Sequence, residues 1–302
     1  MWRRRNRLLH IAKKLSTAQL QQEDQSELEI EDFSLFEVGR RGGDRFLGFY
    51  SEPGLQLALS KYGFFKALQR LGFQQVRLHL DTGDPFVHRL RLDCDRADEP
   101  VLGELVVKKD DLVLDVPDDH HLAHHVFEML HIEWLYLQDP GRSFDSARPQ
   151  LPGQDHPGLG LAKMVLELLL IMARRLNLAG LLNHPSHFHN AVMGDVVFSF
   201  CDPETQGRFD ALKRDLAGYS LQAASWAVLW HCVWDSARGL PLSWHGNHYV
   251  VPLDTRLKQY LKSDDYLARR WSSSGQYEFH LDEQSLRQKA RQSQVFIPRI
   301  KL

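Results

Sequence analysis

The chain has 302 residues, 43% of them hydrophobic and 25% charged, enough for one large domain or two modest ones with an ample core. The formal net charge of −2 gives no global reason to expect DNA or another nucleic acid as a partner. No apolar run reaches roughly 18 residues without a charge, so no transmembrane segment is expected, and three scattered cysteines (Cys94, Cys201, Cys232) without a CxxC pair predict reduced thiols in the cytoplasm.

The N-terminus is basic. Arg3, Arg4, Arg5, Arg7, Lys13 and Lys14 lie in a stretch without acids, and Glu23, Asp24, Glu27, Glu29, Glu31 and Asp32 follow. Trp2, Leu8, Leu9, Ile11, Ala12 and Leu15 make one face of a basic amphipathic helix, which suits an anionic membrane surface or an acidic partner. The plainer alternative is a terminal helix whose basic face is merely solvated. The segment lacks the apolar core of a signal peptide.

Arg45–Tyr50 is short, apolar and aromatic, and reads as a strand. Ser51 is a plausible N-cap with Pro53 in the first turn, and the apolar spacing over 55–71 predicts one helix ended by Gly72. Gln75–Leu80 and Val87–Asp93 alternate apolar and polar residues about the turn signal Thr82-Gly83-Asp84-Pro85. Val101–Val107 and Asp111–Val116 predict a second hairpin, with its turn near Lys108–Asp110. His131–Gln138 is the next strand, closed by Asp139-Pro140-Gly141. A long loop rich in Pro and Gly then runs over 142–158, and loops of that length are usually functional or disordered.

Leu161–Leu178 is the clearest helix, and it opens on the glycine-bearing turn Gln154-Asp155-His156-Pro157-Gly158-Leu159-Gly160. Backbone N–H groups at such a turn stand unpaired at the positive end of a helix, where a phosphate can sit. Beyond it, Gly180–Asn183 predicts a strand, His187–Met193 a helical turn and Val196–Cys201 a strand. Asp202-Pro203 opens a further helix, and 220–234 reads as a buried one. Trp226, Trp230 and Trp234 recur every four residues along it, a stripe that is far more often core than interface.

This order of elements over 45–201 resembles the GNAT acyl-CoA N-acyltransferase family. The resemblance implies an α+β fold, layered α/β/α, with a mixed, mostly antiparallel GNAT-like sheet flanked by helices and an appended helical, Trp-rich C-terminal part. It divides the chain into a charged segment 1–32, a GNAT-like domain 33–215 and an extension 216–302. It implies acetyl-CoA or another acyl-CoA as cosubstrate. Leu135, Tyr136 and Leu137 would hold the pantetheine arm through their backbone. Gln154, His156, Gly158, Leu159 and Gly160 would form the pyrophosphate turn, and Asn190-Ala191 resembles the family's Asn-x-x-Ala element. The family's Arg/Gln position falls on Asp155, whose charge repels pyrophosphate, and Pro157 removes one N–H from the turn.

An N-acyltransferase needs a group that accepts the proton of the attacking amine and donors on the thioester oxygen. Glu133, on the implied splayed strand, is the first candidate base and Glu104 the second, with His187 and His189 as acid or base from the later loop. A lone Glu on a strand is more often the solvent-facing half of its alternation. The amine acceptor, small molecule or protein, is not readable. Two alternatives stand beside this one. A non-catalytic acyltransferase-like domain would bind a protein partner through its Trp-rich part. The His120-His121 and His124-His125 pairs, at i,i+4 if helical, with the cluster at His184, His187 and His189, would suit a metal-dependent enzyme, although no established metal motif fits and no metal ligands are assigned.

Overall fold

In the computed structural model, residues 8, 10–22, 45–95 and 101–301 are described. Most of the basic and acidic N-terminal runs therefore lie outside the described residues. The chain folds as two compact units, and the sequence passes between them several times: one comprises 1–110, 130–141 and 158–177, the other 111–129, 142–157 and 178–302. The architecture is α+β, with a mostly antiparallel sheet flanked by helices. No helix among the described residues is long and apolar enough to cross a membrane.

After a helical stretch over 10–14, the first unit has the short helix α1 (Thr17–Leu20), opened by a capping box between Ser16 and Gln19. Arg45–Tyr50 is not a strand. It is a tight turn with one bridge between Phe46 and Tyr50, and Leu47 and Gly48 both take positive φ, which no strand accommodates. Ser51 caps α2 (Glu52–Tyr62) by accepting from the Gly54 N–H at 3.1 Å. The single helix expected over 55–71 is two, because Gly63 takes the left-handed conformation (φ 82°) and starts α3 (Phe64–Arg70).

Strands β1 (Val76–Asp81) and β2 (Val87–Cys94) pair antiparallel as expected, and β2 pairs in turn with β3 (Val101–Val113). The hairpin expected within 101–116 is one continuous strand. Lys108–Asp110 contains neither Gly nor Pro, and the polar side chains of Lys108 and Asp110 are half-buried within the strand and make no turn. Strand β4 (Val126–Leu137) starts five residues earlier than His131, and the order in this unit is β1-β2-β3-β4. Helix α4 (Ala162–Arg175) completes it. Arg175, in its last turn, donates to the carbonyls of Ala12 (2.6 Å) and Leu15 (3.0 Å), tying down the end of the helical stretch 10–14.

In the second unit the first residues of β4 neighbour β5 (Gly180–Asn183), and the order runs on through β9 (Tyr249–Pro252) to β6 (Ser199–Phe200). Helix α5 (Phe188–Gly194) lies between β5 and β6 in sequence. The strand expected over 196–201 shrinks to two residues. Val196 and Val197 are exposed and belong to a turn whose amides at 197 and 198 donate to the Gly194 carbonyl.

Asp202 caps α6 (Pro203–Asp215) through the N–H groups of Glu204 and Thr205, as the Asp-Pro signal predicts. Helix α7 (Leu221–Leu229) is shorter than the expected 220–234, because the chain turns at Trp230–Cys232, with His231 at φ 54°, into β7 (Val233–Asp235). A small second sheet has the order β10-β7-β8, from β8 (Leu240–Pro241) and β10 (Phe279–Leu281). Helices α8 (Thr255–Tyr260), α9 (Asp264–Gly275) and α10 (Glu283–Gln292) finish the chain. The core of this unit gathers Leu112, Leu122, Phe127, Met129, Leu182, Val250, Leu257 and Tyr266.

Candidate functional site

In the first unit the C-terminal half of β4 loses its cover. Leu130, His131 and Ile132 are buried, whereas Glu133, Trp134 and Leu135 are exposed, Trp134 by 50% and Leu135 by 38%. Consecutive strand residues point to opposite faces, so neither face is packed at this point. Tyr136 meets Trp134 edge-to-face with ring centroids 6.2 Å apart. Asp139 ends the strand by accepting from the Gly141 N–H at 3.2 Å.

The chain rejoins the end of β4 at Gly158. Gln138 and Gly158 form an antiparallel bridge, and the Leu159 N–H donates to the Leu137 carbonyl at 3.1 Å. Buried Leu159 pins the turn, while Gly158 and Gly160 face solvent. Gly160 has φ +72°, and the space that a side chain would fill is open. The helix that follows is uncapped: Leu161 makes no side-chain cap, and the first turn of α4 has no acid. Ala162 and Lys163 in that turn are exposed. Orphan N–H groups, the positive end of the helix dipole and a lysine thus meet at one solvent-facing place.

A charged network lies on the same unit. Lys108 reaches Glu133 at 2.9 Å and Asp110 at 3.2 Å, and Asp110 meets Nδ1 of buried His131 at 2.8 Å. Burial works against the Asp110 charge, but the His131 and Lys108 hydrogen bonds outweigh it and hold its carboxyl below the ordinary carboxylate range. Glu104 pairs with Arg89 across the β2–β3 ladder at 2.6 Å. Burial, then the Glu104 charge, push the Tyr136 phenol up. Reading 101–116 as a hairpin hid Lys108 and Asp110. Taken as one strand, the same residues put Lys108 and Asp110, two apart, on one face.

The other expected residues belong to the second unit. Gln154 closes its own turn: its Oε1 accepts from the Leu151 N–H at 3.2 Å, and its carbonyl accepts from Gln150 at 2.8 Å. His156 is half-buried. Asn190, in the first turn of α5, donates to Ser186 at 3.4 Å. His187 and His189 stack nearly parallel (ring centroids 5.4 Å apart, 11° between planes). A Cβ on Gly153 would come within 2.7 Å of the His187 Nε2, so only glycine lets the loop pass that ring. His189 is buried, its Nδ1 makes no hydrogen bond among the described residues, and burial followed by the His187 charge brings its pKa down to about 4. Burial also lowers that of His187.

Residues 117–124 form turns, so the two i,i+4 histidine pairs do not exist as helical pairs; Pro117 starts the first turn and His124 takes φ 58°. The His120 and His121 rings lie tilted against each other (centroids 4.4 Å apart), and His124 contacts Asp118 at the surface (3.5 Å). Among the described residues no group of three His, Cys, Asp or Glu side chains is arranged to hold a metal ion. Trp226 is buried against Trp230 (4.7 Å) and donates its indole N–H to the Gln150 carbonyl (2.9 Å).

No family model matches the chain, and no curated protein matches it. Among solved structures it is similar to a KacTA–DNA complex at 13% identity and a TM-score of 0.24, covering 49% of this chain and 71% of that one. It is also similar to a KacT variant carrying a tyrosine-to-phenylalanine substitution, at 10% identity and a TM-score of 0.29, covering 62% of this chain and 99% of that one.

Proposed function

We propose that this chain is an acyl-CoA-dependent N-acyltransferase, with acetyl-CoA or a related acyl-CoA seated on the end of β4, the Gly158–Gly160 turn and the start of α4. The observation that carries the proposal is the uncapped, solvent-facing N-terminus of α4, reached through a turn hydrogen-bonded to the uncovered end of β4. Those features fit a ligand with an apolar arm and a phosphorylated end. Trp134 and Leu135 offer apolar contact, and the Gly160 backbone leaves room for an anion beside the first amides of the helix. Lys163 adds positive charge. Asp155 and Pro157, the two departures from the family turn, lie before Gly158, and the Leu159 N–H is taken by Leu137, so the amides of Gly160 to Lys163 carry the anion-binding role here.

Bound acyl-CoA supplies an activated thioester, and the residues of this chain have three tasks. The strand end orients the acyl arm, and the helix N-terminus neutralises the phosphates. Glu133 takes the proton of the attacking amine. Lys108 bridges Glu133 and Asp110, so it keeps a carboxylate partner when Glu133 is neutralised. Asp110, held charged by His131 and Lys108, stays the anion of the pair. The amine acceptor remains unnamed, because acceptor pockets of such folds are built on variable loops.

Calorimetric titration of the chain with acetyl-CoA tests the proposal. Saturable one-to-one binding, weakened by at least about tenfold in 0.5 M salt because phosphate contacts are screened, is the expected result. Absence of heat and of a thermal shift at millimolar acetyl-CoA would overturn it.

A further inference from the structure

The outer edge of β1 is a second surface without an assigned role. β1 runs regularly for six residues, Val76 to Asp81 paired with Cys94 to Arg89, with no bulge. Among the described residues it ends the strand order of its unit, and it contains no Lys or Pro of the kind that blunts an exposed edge. The last strand of the other unit's order, β6, has only two residues and offers little to pair with. A cavity of about 490 Å³ follows β1: its wall includes the consecutive residues Val76, Arg77, Leu78 and His79, and also Phe65 and Phe73. Consecutive strand residues line one cavity only where it wraps the strand's edge, so backbone groups are within its reach.

We infer that this edge pairs with β1 of a second copy of the chain, giving a two-fold symmetric dimer with a continuous antiparallel sheet. The sequence of the strand specifies the partner. Antiparallel pairing about an axis through His79 sets Arg77 opposite Asp81 of the second copy, and Asp81 opposite its Arg77. The same register sets Leu78 opposite Leu80 in both directions, beside Phe65 and Phe73 in the groove. A slip of one residue in pairing would set Arg77 against Leu80 and lose both charge pairs. Arg77 contacts Asp95 at 3.2 Å in the single chain, at the surface, where such a pair exchanges at little cost, and exposed His79 contacts half-buried Asp93 at 3.4 Å.

The test is sedimentation equilibrium of the full chain across about 1 to 100 µM, the range in which a modest interface dissociates. A reversible dimer is expected. Arg77→Asp and Asp81→Arg should each raise its dissociation constant by about tenfold or more, and the double variant should restore it. Both side chains are exposed, and circular dichroism checks that each variant folds. Independently, His79→Cys places two thiols on the symmetry axis. It should give a disulfide-linked dimer on mild oxidation, whereas Phe86→Cys, exposed in the neighbouring turn, should not; the native cysteines are buried. A strictly monomeric chain, a dimer indifferent to the charge changes, a double variant that fails to recover, or equal cross-linking at both positions would overturn the inference.

Discussion

The amide of Leu159 donates to the carbonyl of Leu137 at 3.1 Å, so the last residue of β4 is fastened directly to the turn that opens α4. Residues 138–157 lie between them in sequence, yet the geometry that a ligand would meet is set by this short contact and by the Gln138–Gly158 bridge. An acyl arm laid along β4 would find the start of α4 at its end.

Gly160→Asp separates the helix from the ligand. Aspartate tolerates positive φ better than most residues, nothing occupies its Cβ position, and a carboxylate at a helix N-terminus favours the helix. Stability should therefore change by less than about 1 kcal/mol. Acetyl-CoA affinity should fall by at least about tenfold, because the new charge would stand where the proposed site holds the pyrophosphate. Paired thermal melts and calorimetry read both effects.

Glu133→Gln removes the proposed base and keeps its shape. Acetyl transfer to an amine acceptor should slow by about 10²- to 10⁴-fold while acetyl-CoA affinity is unchanged. A variant with full activity would remove Glu133 from the chemistry.

His189 gives the chain an acid limit. Unfolded, its imidazole protonates near pH 6.5, whereas folded it does so only near pH 4. Between those values the unfolded chain holds the extra proton. The contribution is therefore fully present above about pH 6.5 and is lost as pH falls towards 4, by about 3 kcal/mol in all. Urea denaturation at several pH values should show this slope, and His189→Leu should flatten it.

Gly207 lies where α6 crosses α9. A Cβ there would come within 2.3 Å of the Arg270 carbonyl oxygen and 2.8 Å of the Ser273 Cβ. Gly207→Ala must push the helices apart and should cost about 1–3 kcal/mol in chemical denaturation, despite its better helix propensity.

Much of this architecture is legible in the sequence where local chemistry decides it. Ser51, Asp202 and the Asp-Pro step name their helix starts, and the alternation in β1 and β2 names those strands. Elements that tertiary pairing decides are misread. Lys108–Asp110 looks like a turn because its side chains are polar, but they stay in β3 as partners of Glu133 and His131 on β4. Arg45–Tyr50 has strand composition, yet Leu47 turns out of extended conformation, its N–H donating to Nδ1 of buried His88 at 2.5 Å, a partner 41 residues away. Gly158 and Gly160 are visible as a turn before a helix. That the turn is fastened to Leu137 and leaves α4 uncapped depends on where the chain returns after 142–157, which spacing does not encode.

Hydrogen–deuterium exchange with and without acetyl-CoA tests the central claim most directly. Saturating acetyl-CoA should slow exchange at the amides of 158–164 and along the end of β4, with α6 and α9 unchanged. Unaltered exchange at 158–164 under conditions where acetyl-CoA binds elsewhere, or does not bind at all, would contradict it.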